Sequence, residues 1–378
     1  ELGPKACSTF IREKSSASSA TTDYKFGERF VKVLITGSRG FIGSVLTHRL
    51  RDRYQIIALD RLNKTEEEEG LYKYRVDIAD RKELFFALEE IKAGFGGRLD
   101  YVFHLAAYYD FSNKNKRLHQ EVNEEGTRNL LEAMASGGFD IGAFIFTSST
   151  AVMQGLKGHG RIREPSPSGS PLNYGRSKLL AEEIIAHHKN RLKAIVVRLA
   201  GVYSQQCRLI PLAHQIASIY KGDISSRFLP GGGQGCISYV HIEDVLDGFE
   251  RIMTLSSEIP SGSVYILSEE DYLSYRELYQ LISHGLYSSS LGTVSLPKWL
   301  LLGGIHTTNY LYSLRGREYF FKPWMVDFSL LRYCFDTEKA RKELGWRPRH
   351  SLRNYLGDIL EGLKRDPKGW FTINNINL

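Results

Sequence analysis

Long apolar runs, clustered cysteines and spaced metal ligands are all missing from this sequence, and each absence closes off a class of protein. The apolar stretch Leu300-Leu301-Leu302-Gly303-Gly304-Ile305 falls far short of the roughly 20 residues needed to cross a bilayer, so it reads as a buried helix and no membrane span is expected. Cys7, Cys207, Cys236 and Cys334 stand far apart, with neither ligand spacing nor the density of a disulfide framework. A reduced compartment fits, and the cytoplasm is the expected location. His187-His188 lacks a metal-ligand arrangement, and no metal is assigned. Nucleic-acid motifs are also wanting: 50 basic residues are spread among 43 acids, and the formal charge of +7 suits anionic small molecules better than a nucleic acid.

What is present is ordinary globular material, 378 residues of which 42% are hydrophobic and 25% charged, enough for one large core or two unequal lobes. Residues 1–30, with the Ser/Thr-rich patch Ser15 to Thr22, read as a disordered leader. If that leader is a transit remnant, the location becomes a plastid or other organelle, although its acids Glu1, Glu13, Asp23 and Glu28 speak against a clean transit signature.

Val31 to Thr36 is a β-branched-rich run of strand length, and it ends in glycines spaced Gly37-x-x-Gly40-x-x-Gly43. Phe41 to Leu50 then carries apolar side chains at helical spacing, so Gly43 falls in the opening turn of a helix, where free amides and the helix dipole favour a diphosphate. Gln55-Ile-Ile-Ala-Leu-Asp60 reads as a second strand ending in a carboxylate, placed to accept hydrogen bonds from a ribose and to repel a 2′-phosphate. NAD is therefore preferred, while Arg39 and Arg61 keep NADP open. Asn63 to Gly70 is a charge run that reads as a solvated loop. Further strands are expected at Tyr72–Val76, Tyr101–Ala107, Ala143–Thr147 and Ala194–Arg198, alternating with helices such as Arg81–Ile91. Such βα repeats predict a Rossmann-type parallel sheet, doubly wound, in an α/β fold. Gly155 to Pro171 is a loop long enough to act as a lid. After about Gln205 the alternation fades into mixed elements. The expected organisation is a dinucleotide-binding domain over 31–204 with returns around 240–268, a smaller substrate lobe over 205–239 and 269–365, and a tail over 366–378.

Tyr174-Gly-Arg-Ser-Lys178 opens another helical pattern, placing a phenol and an ammonium four residues apart on one face. A phenol of pKa near ~10 exchanges protons at neutral pH only if a neighbouring positive charge stabilises its phenolate. Ser149, at the exit of an apolar strand, stands where α/β sheets place ligands and could hydrogen-bond a reacting oxygen. Tyr108, Tyr109 and Phe111 offer an aromatic wall for a substrate.

The ordered set of Thr36 to Gly43, Asp60, Asp77-Ile78, His104-Leu-Ala-Ala107, Asn123-x-x-Gly126-Thr127, Ser149, Tyr174-x-x-x-Lys178, Arg198 and Val240-His241-x-x-Asp244-Val245 resembles the extended short-chain dehydrogenase/reductase superfamily, in its NAD-dependent epimerase/dehydratase branch. Leu344-Gly-Trp-Arg-Pro348 is similar to that branch's C-terminal motif. The resemblance implies that Ser149, Tyr174 and Lys178 are catalytic, with Asn123 supporting Lys178 through a water. It implies that Gly37, Arg39, Gly40, Phe41, Ile42, Gly43, Asp60, Arg61, Asp77, Ile78, Leu105, Ala106, Ala107, Gly201 and Val202, together with Tyr174 and Lys178, surround the cofactor. A homodimer is implied as well. His104 and His241 are read as packed, hydrogen-bonded core residues rather than catalysts.

Departures from the family's pattern narrow the reaction. Thr150-Ala151 stands where dehydratases of the branch carry an Asp-Glu pair, which disfavours water elimination. Gly201 and Ile237-Ser238 occupy places where sugar-nucleotide epimerases usually hold Asn and an Arg-Asp pair, whereas Arg198 to Tyr203 resembles hydroxysteroid dehydrogenases and dihydroflavonol reductases. The expected function is an oxidoreductase interconverting a secondary alcohol and a ketone on a small or medium organic substrate. Its alternative is a sugar-nucleotide epimerase using the same trio. A non-catalytic cofactor sensor is the third reading, disfavoured by the intact Tyr174 and Lys178.

Overall fold

Side chains of alternating direction build the centre of the molecule. Val33 and Ile35 pack into one apolar cluster while Leu34 between them packs into another, and Ala143 and Ile145 are divided from Phe144 and Phe146 in the same way. A strand with two apolar faces is stable only between two covering layers. The structure is a computed structural model and describes residues 30–62, 71–110, 112–289, 291–314, 316, 319 and 321–376. The expected leader, apart from Phe30, the charged run from Asn63 and Phe111 lie outside the described residues.

Seven strands, β1 (Lys32–Thr36), β2 (Gln55–Asp60), β3 (Leu71–Arg75), β4 (Arg98–His104), β5 (Asp140–Ser149), β6 (Ala194–Leu199) and β7 (Ser263–Leu267), form one sheet in the order β7-β6-β5-β4-β1-β2-β3. Every pairing in it is parallel. The principal helices are α1 (Phe41–Leu50), α2 (Arg81–Phe95), α3 (Gly126–Ser136), α4 (Asn173–His187), α5 (Ile210–Tyr220), α6 (Ile242–Leu255), α7 (Tyr275–Tyr287), α8 (Lys298–Ser313) and α9 (Leu352–Arg365). Leu46 and Leu50 of α1 and Phe249 and Ile252 of α6 cover one face, while Leu84 of α2, Leu130 of α3 and Ala181 of α4 cover the other. This is the doubly wound α/β sheet expected from the βα repeats. A third core joins α5, α7 and α9 through Ile216, Tyr279 and Leu356, and gives the C-terminal mixed α/β part its own packing.

Three local expectations are corrected. β4 ends at His104 instead of continuing to Ala107. Strand order reverses between β1 and β4, and there the chain must leave the sheet, which opens a crevice at the carboxyl ends. The supposed lid over residues 155–171 is stitched down: Leu156 donates to Arg332 O at 3.0 Å, Ile162 donates to Cys334 O at 2.8 Å, and the Glu164 carboxylate accepts from Ile266 N at 3.0 Å. Cysteine spacing concealed a pair, since Cys236 is joined to Cys334, 98 residues away, beside neighbouring parallel strands. Cys207 is buried and has no disulfide partner among the described residues. Among the described residues no helix is long and apolar enough to cross a membrane.

Candidate functional site

The turn after β1 is shaped by two close approaches. Gly37 has φ of +70°, and a Cβ on it would come within 2.7 Å of the Ala106 backbone; a Cβ on Gly43 would collide with the Gly37 carbonyl. Only hydrogen fits at either place. α1 begins at Phe41 behind Gly40, with no side-chain cap and no acid in its first turn, so its leading amides remain available to an anion. Asp60 braces the turn from the end of β2, its carboxylate accepting from Arg39 N at 3.0 Å and Leu62 N at 3.1 Å.

Ser149 is the last residue of β5, and its hydroxyl accepts from Ala151 N at 3.2 Å, which bends the chain into a 3-10 turn. Tyr174 and Lys178 lie one turn apart at the start of α4. The helix comes close enough for Ser149 to hydrogen-bond the Tyr174 phenol because position 175 is glycine: a Cβ there would run into the Ala151 carbonyl and the Ser170 hydroxyl. Asn113, itself at φ of 61°, pins the start of α4 by accepting from Asn173 N at 2.7 Å. Neither Gly175 nor Asn113 was singled out by sequence, since nothing local announces a contact made across 60 residues.

Burial governs the electrostatics. It pushes the Tyr174 phenol up to about 12 against the lowering effect of Ser149, and pushes the Lys178 amine down to about 7 against the raising effect of Glu182. Lys178 is 2% exposed, with its Nζ 4.2 Å from the centre of the Phe146 ring. Glu182, one turn further along α4, is itself neutralised by Arg198 in a buried two-pronged pair at 3.0 and 2.7 Å. His104 is held between Thr36 and Thr127 hydroxyls at 2.8 and 2.9 Å, and burial, then Lys178, drives its imidazole down to about 3. It is a neutral, fully packed residue. His241 accepts from Glu243 N at 3.3 Å and stacks on His350, while its Nε2 has no hydrogen-bond partner among the described residues.

A cavity of about 910 Å³ runs from the glycine turn past these groups. Gly37, Gly40, Phe41, Ile42 and Gly43 line one end; Ser149, Tyr174 and Lys178 stand on the wall with Leu105, Ala107, Tyr109, Gly201 and Val202. Of the other expected site residues, Arg39, Asp60, Arg61, Asp77, Ile78, Ala106, Tyr108 and Asn123 are not on this wall. Ala106 lies directly behind Gly37, and Ile78 packs beneath Gly126. Asp77 accepts from Ala79 N at 2.9 Å, and Arg61 is exposed at the end of β2. Asn123 sits on a π-helical turn, Gln120–Glu125, and its side chain clasps Tyr108 N and O at 2.7 and 3.1 Å and Ser177 Oγ at 2.8 Å. Tyr108 turns its ring onto His119, centroids 4.8 Å apart, whereas Tyr109 meets the Tyr174 ring edge to face at 5.1 Å.

The rest of the wall is made by distant segments that sequence reading did not assign to the site. Phe228, Leu229, Leu301, Ile305, Trp324 and Phe328 contribute its apolar surface. Arg208, at φ of 60° and with its guanidinium 5.0 Å from the Phe41 ring centre, is, among the described residues, the wall's cation other than Lys178, and no carboxylate among them lines it. The sequence holds no periodic signal for such a set, because the cavity is assembled from loop and helix ends far apart in the chain.

The model of the NAD dependent epimerase/dehydratase family matches residues 33–268. Short-chain dehydrogenase/reductase family 42E member 1 of Danio rerio is 26% identical, with 84% of each chain covered. The 3beta-hydroxysteroid-dehydrogenase/decarboxylase isoform 2 of Arabidopsis thaliana is 25% identical over 88% of this chain, which spans 60% of that protein. Among solved structures, UDP-glucose 4-epimerase of Thermotoga maritima with UDP-glucose superposes with a TM-score of 0.66 at 21% identity, over 89% of this chain and all of that one.

Proposed function

The chain belongs to the NAD dependent epimerase/dehydratase family of enzymes, and we propose that within it this protein is a dehydrogenase that interconverts a secondary alcohol and a ketone on an apolar, ring-sized or larger molecule. The observation that carries this reading is the wall around Tyr174. A sugar diphosphate needs several cations, yet beyond the trio the described wall offers one guanidinium, that of Arg208, among Phe, Leu, Ile and Trp side chains and neutral hydroxyl and amide groups such as Ser225, Ser226, Gln215 and Asn374. The hydroxysteroid dehydrogenase relative supports the same substrate chemistry.

The glycine turn and uncapped α1 fit the diphosphate of a dinucleotide, and Asp60 suits the ribose hydroxyls of NAD. When bound, NAD accepts or returns a hydride. The Ser149 hydroxyl then holds the substrate oxygen, and Tyr174 Oη takes the alcohol's proton or gives one to the ketone. Lys178, one helical turn behind, lends its ammonium to the phenolate form and offers a donor to the cofactor ribose. Asn123 acts as a positioning residue through Ser177 and the Tyr108 backbone.

Purified protein supplied with NADH and, separately, apolar cyclic ketones and UDP-sugars tests the assignment. Net oxidation of NADH with the ketones is expected. Production of a sugar epimer without net cofactor turnover would overturn it in favour of an epimerase.

A further inference from the structure

Helix α8 divides its residues between two environments. Leu301, Ile305 and Thr308 face inward and line the cavity. On the opposite side Trp299, Gly303, His306, Tyr310 and Leu314 recur at spacings of three and four, a single stripe along the helix, with Leu311 beside them. Trp299 is 73% exposed, Tyr310 64%, Leu311 51% and Leu314 66%, which makes this a continuous apolar surface of aromatic and leucine side chains free of formal charge. Such a patch on a soluble surface marks a contact. Leu300 and Gly304 belong to both environments, being exposed outside and part of the cavity wall within.

We propose that the outer face of α8 docks on an anionic phospholipid bilayer, lying in the plane of the interface, and that apolar substrate passes between lipid and cavity beside Leu300 and Gly304. Residue chemistry favours this occupant over a protein partner. Trp and Tyr combine an apolar body with a polar edge and settle at the headgroup boundary. The surrounding sequence, Leu291 to Leu331, holds Lys298, Arg315, Arg317 and Lys322 against two acids, Glu318 and Asp327, and Asp327 is paired with Lys298. The local excess of positive charge complements anionic headgroups. Spanning is excluded by length, because 16 residues rise only about 24 Å, short of the ~30 Å hydrocarbon core. An interfacial helix needs no such length.

The substrate route rests on the apolar ligand proposed above, whereas docking of α8 does not, and the test of docking does not require turnover. Full-length protein is floated with vesicles of phosphatidylcholine and phosphatidylserine at about 3 to 1, and with phosphatidylcholine alone. Binding to the mixed vesicles, weakened without phosphatidylserine, is expected. The double variant Trp299→Glu, Tyr310→Glu should lose about tenfold or more of that affinity while keeping wild-type NADH affinity and far-ultraviolet circular dichroism. Brominated lipid should quench the wild-type tryptophan emission, and Trp299→Phe should abolish most of that quenching. Failure of the wild type to float overturns the proposal, as does unchanged flotation of the double variant. A dimer seen by light scattering that the same variant splits, with no vesicle binding, would show that a second copy covers this face.

Discussion

Tyr174 is poorly suited to proton transfer on its own, because burial, with the Ser149 hydroxyl already working against it, holds its phenol up at about 12. In the proposed reaction the further help comes from the Lys178 ammonium one turn away, which favours the phenolate form, with Glu182 keeping the amine protonated more than burial would allow. Tyr174→Phe should therefore reduce turnover by about 100-fold or more while leaving NADH affinity, followed by fluorescence titration, within about twofold of wild type. Asp60 invites a different comparison. Its carboxylate already accepts two backbone amides, so Asp60→Ala removes a brace of the glycine turn and, on the proposed reading, a ribose acceptor. The variant should lose NADH affinity by about tenfold and NADPH affinity by less, since the repulsion of a 2′-phosphate is lifted at the same time. A wild-type protein that takes only NADPH would contradict that account.

Two glycines separate the cofactor end of the site from its reacting end. Gly43 lets α1 rest on the turn after β1, and Gly175 lets α4 rest on the turn after β5. Gly43→Ala should cost about 1–3 kcal/mol of stability and weaken NADH binding. Gly175→Ala should instead lower kcat, because a displaced α4 draws Tyr174 from Ser149 while the dinucleotide cradle is untouched. The two variants compared by NADH titration and steady-state kinetics distinguish these effects. The first of these glycines was legible in the sequence and the second was not. Gly37, Gly40 and Gly43 are spaced within one strand-turn-helix unit whose periodicity can be read directly, as can Tyr174 and Lys178 on one helical face. Gly175, Asn113 and the Cys236–Cys334 pair owe their meaning to segments brought together by tertiary packing. Strand β4 shows the same boundary: Leu105 and Ala106 continue the apolar run of its sequence, but the reversal of strand order turns the chain out of the sheet after His104.

Across the whole molecule, a buried polar knot ties the sheet to the C-terminal core. Glu269, just beyond β7, is 1% exposed; one carboxylate oxygen accepts from Leu352 N at 2.9 Å at the start of α9, while the Tyr203 phenol approaches the other without completing a bond. Burial pushes its carboxyl up to about 7, the Leu352 amide and Tyr203 work against that, and Asp244 and Asp271 reinforce it. The folded protein thus holds a proton there that the unfolded chain releases near pH ~4.3. Stability drawn from the protonated form is complete at lower pH and is lost as pH rises through about 7. His241 nearby has the opposite sign, since burial lowers its imidazole to about 4 and its cost fades as pH rises. Comparing Glu269→Gln with wild type cancels the histidine's contribution, because both proteins carry it. The amide cannot ionise and still accepts from Leu352 N, so the variant should gain on wild type across pH 5 to 8 by on the order of 3 kcal/mol, measured as a widening gap between their thermal unfolding midpoints. A constant gap across that range would mean that Glu269 is ionised in the folded protein, with solvent or a neighbouring donor satisfying the oxygen that Tyr203 leaves open.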